Sequence, residues 1–287
     1  MNLFEQLTQL VAGKKDQGAE KRELLLAHVI EMTDRRIAKV PSYEEDLWPA
    51  IQFAKIYFSE VWDSVPGPFA LDDKKFPLEA LFPKPEDLTA CLGRSTSTKK
   101  DLPLHIKRQQ SRVCALLGMR PRPGQDEKIQ LMDHTVRTLR QSPELVRGAL
   151  LGAAFNSLLQ GFTNQNLRLQ QELEQLRIQQ EMVEEDSSRP LEETDPALHL
   201  RKFRSDPKVV LTNLVNELYK PTTRLWLKHD DYDCLLLKIP GYDKEQRLPQ
   251  MITQDRRHWA VCLVEFPIEM AEEALAKETH NHRFILI

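Results

Sequence analysis

From Glu144 to Arg189 the chain contains no proline. Within that run Leu159, Phe162, Asn166, Leu169, Leu173, Leu176, Gln180 and Val183 recur at alternating steps of three and four. A 3.5-residue period keeps one narrow stripe of a helix facing a partner helix. Glutamate, glutamine, arginine and asparagine fill most of the positions between, so a helix here needs something to bury its stripe against. Ser142-Pro143-Glu144 is a strong start for it: a capping hydroxyl, proline at the first position, and an acid near the helix's positive end. An unbroken helix from there to Glu185 is ~65 Å long.

The two halves of this helix differ in composition. The stretch GALLGAAFNSLL, with Gly148, Ala149, Gly152 and Ala153, lets a neighbouring backbone come close, and is expected to pack into the rest of the chain. The second half is expected to project as a short coiled coil. There Asn166 falls at an a position and Leu169 at d; a buried Asn at a fixes register and two-strandedness at some cost in stability. Glu172 at g and Arg177 at the following e complement each other across a parallel dimer. The competing arrangement lays the stripe on a helix of the same chain, with Leu167, Ile178 and Met182 making further contacts off the stripe. The repeat is about three and a half heptads, close to the lower limit for an independent coiled coil.

The first third reads as helical. Leu3, Leu7 and Leu10 share one spacing, and Leu25, Val29 and Met32 another. A third helix from about Glu44 to Trp62 puts Leu47, Ile51, Ala54, Phe58 and Val61 on one face. The prolines of FPLEALFPKPEDLTACL allow only short helices, and STSTKKD at 95–101 reads as an exposed loop. Val113, Ala115, Leu117 and Met119 alternate as in a strand. Ile129 and Leu131 begin a second strand, whose parity slips before Val136, so a bulge or an end is expected there. Together they form a β-hairpin within the helical region. DSSRPLEETDP at 186–196 reads as a linker. Beyond it, Asp206-Pro207 caps a helix bearing Val210, Leu211, Leu214, Val215 and Leu218. Strands are expected at 222–228, 233–239 and 258–266, with a helix from Pro267 to about Lys277 and RFILI at the end. The expected class is therefore α+β, in four parts. They are a mainly helical N-terminal domain at 1–141, the long helix at 142–185, a linker at 186–197, and a C-terminal domain with an antiparallel sheet at 198–287.

Chemistry-bearing residues are sparse. His229, Asp230, Asp231 and Asp233 are metal-ligand types, but they sit between two expected strands, where aspartate-rich turns are common, and they lack an EF-hand's glycine and distal glutamate. His280 and His282 share a face only in an extended segment and lack a third ligand nearby. The basic cluster His199, Arg201, Lys202 and Arg204 is flanked by acids and reads as intramolecular pairing, as does the run His105-Ile106-Lys107-Arg108. With only 10 glycines, neither a GxSxG elbow nor a phosphate-cradling loop occurs. Cys91, Cys114, Cys234 and Cys262 form no CxxC pair, and three of them lie in apolar runs, as buried thiols of a reducing compartment do.

A net charge of −3 gives no global field to attract nucleic acid or an anionic membrane. The N-terminus places its apolar part before its lysines, the reverse of an export signal. The longest low-charge window, Gly148 to Phe162, falls short of the ~20 residues that span a bilayer. As a membrane-surface helix it has only Arg147 for a basic face, which favours core packing. No catalytic residue, metal or cofactor is expected. The sequence points to a cytoplasmic, non-enzymatic structural or adaptor protein that self-associates as a homodimer through Leu159, Phe162, Asn166, Leu169, Leu173, Leu176 and Val183. Its protein partner is not identified by the sequence. The alternatives are an enzyme whose site assembles from distant residues between the domains, and a nucleic-acid-associated regulator using the basic cluster.

Overall fold

The computed structural model describes residues 17–74, 78–123, 129–183, 206–223, 225–228, 235–237, 246–253 and 257–282. In chain order, α1 spans Gln17–Met32 and α2 Tyr43–Asp63, with a 3-10 turn at Arg35–Lys39 between them. Strand β1 (Phe69–Ala70) is followed by α3 (Leu78–Leu81), α4 (Pro85–Arg94) and α5 (Thr96–Lys107). Strands β2 (Arg112–Pro123) and β3 (Ile129–Arg140) lead into α6 (Pro143–Val183) and α7 (Pro207–Leu218). Then come β4 (Leu225–Lys228), β5 (Leu235–Leu237), β6 (Gln246–Leu248), β7 (Gln250–Thr253), β8 (His258–Pro267) and α8 (Ile268–His282). The protein is of mixed α+β class.

The chain divides into two compact units, each made of two separate stretches. Unit 1 is Met1–Phe58 with Gly152–Pro221, and unit 2 is Ser59–Leu151 with Thr222–Ile287. These units interleave along the sequence, and strand pairing explains how. The β2–β3 hairpin does not stand alone in a helical region, because β2 pairs antiparallel with β8 from Arg112↔Pro267 to Met119↔Ala260.

Unit 2 is built on that pairing. Its sheet runs β3-β2-β8-β7-β4, and β1 adds in parallel to β8. The alternation of β2 meets a matching alternation of β8: Val113 faces Phe266, Ala115 faces Val264, Leu117 faces Cys262 and Met119 faces Ala260. All eight join one buried cluster with Leu92, Leu102, Ala271 and Ala274 from the helices. Both faces of β2 and β8 are covered, since Leu116 and Leu263, on the opposite face, are also buried. Close packing is visible at Gly93, where a β-carbon would come within 2.7 Å of the Ala274 carbonyl oxygen, so α4 and α8 pack backbone to backbone. Gly67, at φ +103°, has the Leu263 carbonyl oxygen 2.3 Å from where its β-carbon would sit, so glycine is required there on both counts.

β3 carries the expected irregularity, as a bulge rather than an end. Gly118 pairs Thr135 while Arg120 pairs Met132, so β3 holds one extra residue before Val136. A second extra residue lies between Arg137 and Arg140. Two bulges on an edge strand, with Arg137 exposed beside them, blunt its capacity to pair with another sheet. The segment STSTKKD is not a loop: Ser95 caps α5, its Oγ accepting from the Thr98 amide at 3.0 Å, and the helix runs on through Lys107. Serine and threonine clusters suit caps as well as turns, and here the cap prevails.

Unit 1 is helical among its described residues. Leu25 and Val29 of α1, with Leu47, Ile51, Ala54 and Phe58 of α2, are buried as their spacing required. Val210, Leu211, Leu214 and Leu218 of α7 are buried too. Polar ties join α1 to α6: His28 Nε2 lies 2.9 Å from Asn156 Oδ1, and the Thr163 hydroxyl donates to the Met32 carbonyl at 2.8 Å. Leu3, Leu7, Leu10, the linker at 186–196 and the terminal RFILI lie outside the described residues.

Candidate functional site

The long helix is the candidate site, and its stripe divides at Asn166. Leu159 and Phe162 are buried by their own chain, and Asn166 is only 9% exposed. The apolar lining of this stretch includes Phe155, one step back on the same heptad spacing, and Leu158, off the stripe, so the buried face is broader than a coiled-coil seam. From the next turn the helix opens to solvent. Leu169 is half-buried, and Leu167 is 51% exposed. The helical backbone continues to Val183, carrying Leu173, Leu176, Gln180 and Val183 at the same heptad spacing, although their side chains lie outside the described residues.

At its other end α6 is anchored by Arg147. Its Nε donates to the Trp62 carbonyl at 3.1 Å and its Nη2 to the Val65 carbonyl at 3.0 Å. Those carbonyls lie at or just past the end of α2, where backbone acceptors lack intrahelical partners and cations are favoured. The one basic residue near the low-charge window is thus committed to the fold.

Ionisable groups with displaced pKa values occupy structural places. Burial pushes the Cys91 thiol up to about 12, and burial with the nearby Glu265 and Glu144 carboxylates pushes Cys114 to about 11. Burial also raises the Cys262 thiol. All three thiols stay protonated and unreactive near neutral pH. Asp72 is held below the ordinary carboxylate range by the Arg112 side chain. Arg112 binds it in bidentate fashion at 2.7 and 2.8 Å and reaches Glu265 at 2.5 Å, tying the turn after β1 to β2 and β8. His105, in the basic run read as intramolecular pairing, is buried, with Nδ1 2.6 Å from Gln110 Oε1 and Nε2 3.3 Å from the Leu139 carbonyl.

Among the described residues no group of three His, Cys, Asp or Glu could hold a metal ion. His280 and His282 lie within the helical span of α8, and positions two apart on a helix do not share a face. His229 and its aspartates, and the basic cluster at 199–204, lie outside the described residues. Among the described residues no helix is long and apolar enough to cross a membrane.

Sequence reading missed one surface. Phe53 and Ile56, on α2 in unit 1, are 46% and 56% exposed, and the Phe53 ring lies 5.2 Å from the exposed Tyr219 ring. Its signal was phase: Phe53 and Ile56 are large apolar residues off the stripe set by Leu47, Ile51, Ala54 and Phe58. No protein-family model, curated protein or solved structure matches this chain.

Proposed function

We propose that the chain is a non-enzymatic structural or adaptor protein of the cytoplasm, which self-associates through the distal half of α6 and thereby presents two copies of its C-terminal portion to a protein partner. The observation that carries this reading is the continuity of the stripe. Its heptad spacing runs past Asn166, the last buried position among its described side chains, to Val183. The intermolecular seam in this reading is therefore Leu169, Leu173, Leu176 and Val183. Leu159, Phe162 and Asn166 serve the monomer. Two heptads are fewer than the ~3–4 that sustain an independent coiled coil, so the association is weak and concentration-dependent. The exposed apolar residues Phe53, Ile56 and Tyr219 add a second surface of interaction type. Buried, protonated thiols and carboxylates engaged in ion pairs support binding over catalysis.

Cross-linking tests this reading. In a parallel seam, facing d or a positions lie close enough for a disulfide. Leu173→Cys should give a disulfide-linked dimer under mild oxidation, while Ile178→Cys, off the stripe, should not. Equal cross-linking at both positions, or at neither, contradicts the seam.

A further inference from the structure

The end of α4, the start of α5 and β3 enclose a cleft of about 420 Å³ in unit 2. Its ionisable lining is cationic or neutral: Arg94, Arg137, His134 and the Cys91 thiol, with no carboxylate among the lining residues. Ser95 and Ser97 add hydroxyls beside the amino-terminal turn of α5, whose dipole favours negative charge.

The walls are held in place. Ser95 Oγ donates to the Val136 carbonyl at 2.8 Å, and the Thr138 amide donates to Ser97 Oγ at 3.2 Å, latching β3 to α5. His134 Nε2 donates to the Leu81 carbonyl at 2.7 Å, and its ring stacks on Phe82 with centroids 4.5 Å apart. The lining segment His134–Arg137 sits between two residues in the left-handed region, Asp133 at φ 52° and Thr138 at φ 61°. A β-branched residue there is strained, and the accompanying bulges re-aim the side chains between them.

The two arginines are not consumed by the fold. Among the described residues Arg137 has no carboxylate partner and is exposed. Arg94 has one long contact, Nε to Glu278 at 3.5 Å, and is 73% exposed.

We propose that this cleft binds the phosphate group of a small phosphate monoester, with Arg94 and Arg137 pairing to its oxygens beside the first turn of α5. Paired guanidiniums match a tetrahedral dianion. The volume exceeds that of bare phosphate and falls in the range of small-ligand pockets. The protonated Cys91 adds neither negative charge nor a nucleophile, so the cleft holds its ligand without reacting.

Calorimetric titration of the full chain at low ionic strength tests this, with inorganic phosphate and glycerol 3-phosphate as probes. One site per chain is expected, tighter for glycerol 3-phosphate. Because Arg137 is exposed, R137A leaves the core intact and should weaken binding at least about tenfold, as should R94A. E278Q, which removes the competing carboxylate, should bind as tightly as the unaltered chain or tighter. R35A, at an exposed arginine of unit 1, should bind unchanged. No binding at millimolar probe, unchanged binding by R137A, or equal weakening by R35A overturns the proposal. Equal affinity for the two probes overturns the monoester assignment.

Discussion

The sheet of unit 2 and the long helix α6 show two ways in which an apolar pattern can be used. In the sheet each apolar residue has a fixed opposite number: Val113, Ala115, Leu117 and Met119 meet Phe266, Val264, Cys262 and Ala260. A slip of one residue would turn the whole set to the other face, so pattern and register fix each other. Among its described side chains the stripe of α6 is buried through Asn166 and then continues on the same spacing with Leu169 only half-buried, beside an exposed Leu167 off the stripe. A pattern satisfied at once builds a core; the role proposed for the one that runs on is a contact between chains.

The comparison can be broken first in the core. Phe266→Ala should destabilise the protein by about 3–5 kcal/mol, read from urea unfolding, because a fully buried ring leaves a cavity between β8 and its neighbours. A loss below about 1 kcal/mol would mean that β8 is not central. The two halves of α6 should separate next. Phe162→Ala should cost a similar ~3 kcal/mol of monomer stability. Leu173→Ala should leave the monomer within about 0.5 kcal/mol and lower the fraction associated. Identical effects would erase the division at Asn166.

Smaller effects sharpen the picture of unit 2. Ser95→Ala removes both the cap on α5 and the bond to the Val136 carbonyl, and should cost about 1–2 kcal/mol. The Arg112–Asp72 tie should be the smallest, below about 1 kcal/mol, because both side chains are 35% exposed and screened by water. Asp72 has a depressed pKa in the folded protein, so its contribution is present above the unfolded carboxylate value of about 4 and is lost as pH falls through the folded value. Arg112→Met should therefore flatten the acid side of the stability profile, leaving the profile above pH ~5 parallel to that of the unaltered chain.

Local patterns were legible in the sequence where a short-range period set the outcome. The faces of α2 and α7, the alternation of β2, the parity slip in β3 and the start of α6 at Pro143 all follow from spacings within a few residues. What a spacing cannot carry is pairing across the chain. Cys114 faces Glu265 and Leu116 faces Leu263 only because β8 returns beside β2, and nothing in either strand names the other. Ser95 and its neighbours were ambiguous on chemical grounds, since a hydroxyl that caps a helix also suits a loop. The cleft lined by Arg94 and Arg137 was hidden by both effects, its arginines lying on an α4 end and a bulged strand far apart in sequence.

The central claim is the proposal that the distal half of α6 joins two chains, and molar mass in solution tests it most directly. Light scattering after size exclusion, over rising micromolar concentrations, should move from the 33.3 kDa chain mass toward twice that value. Replacing Leu169 and Leu173 with Asp should hold it at the chain mass throughout, because four carboxylates would otherwise be buried in one seam. A mass that stays at that of one chain at every concentration, or a dimer unaffected by both substitutions, would contradict the account.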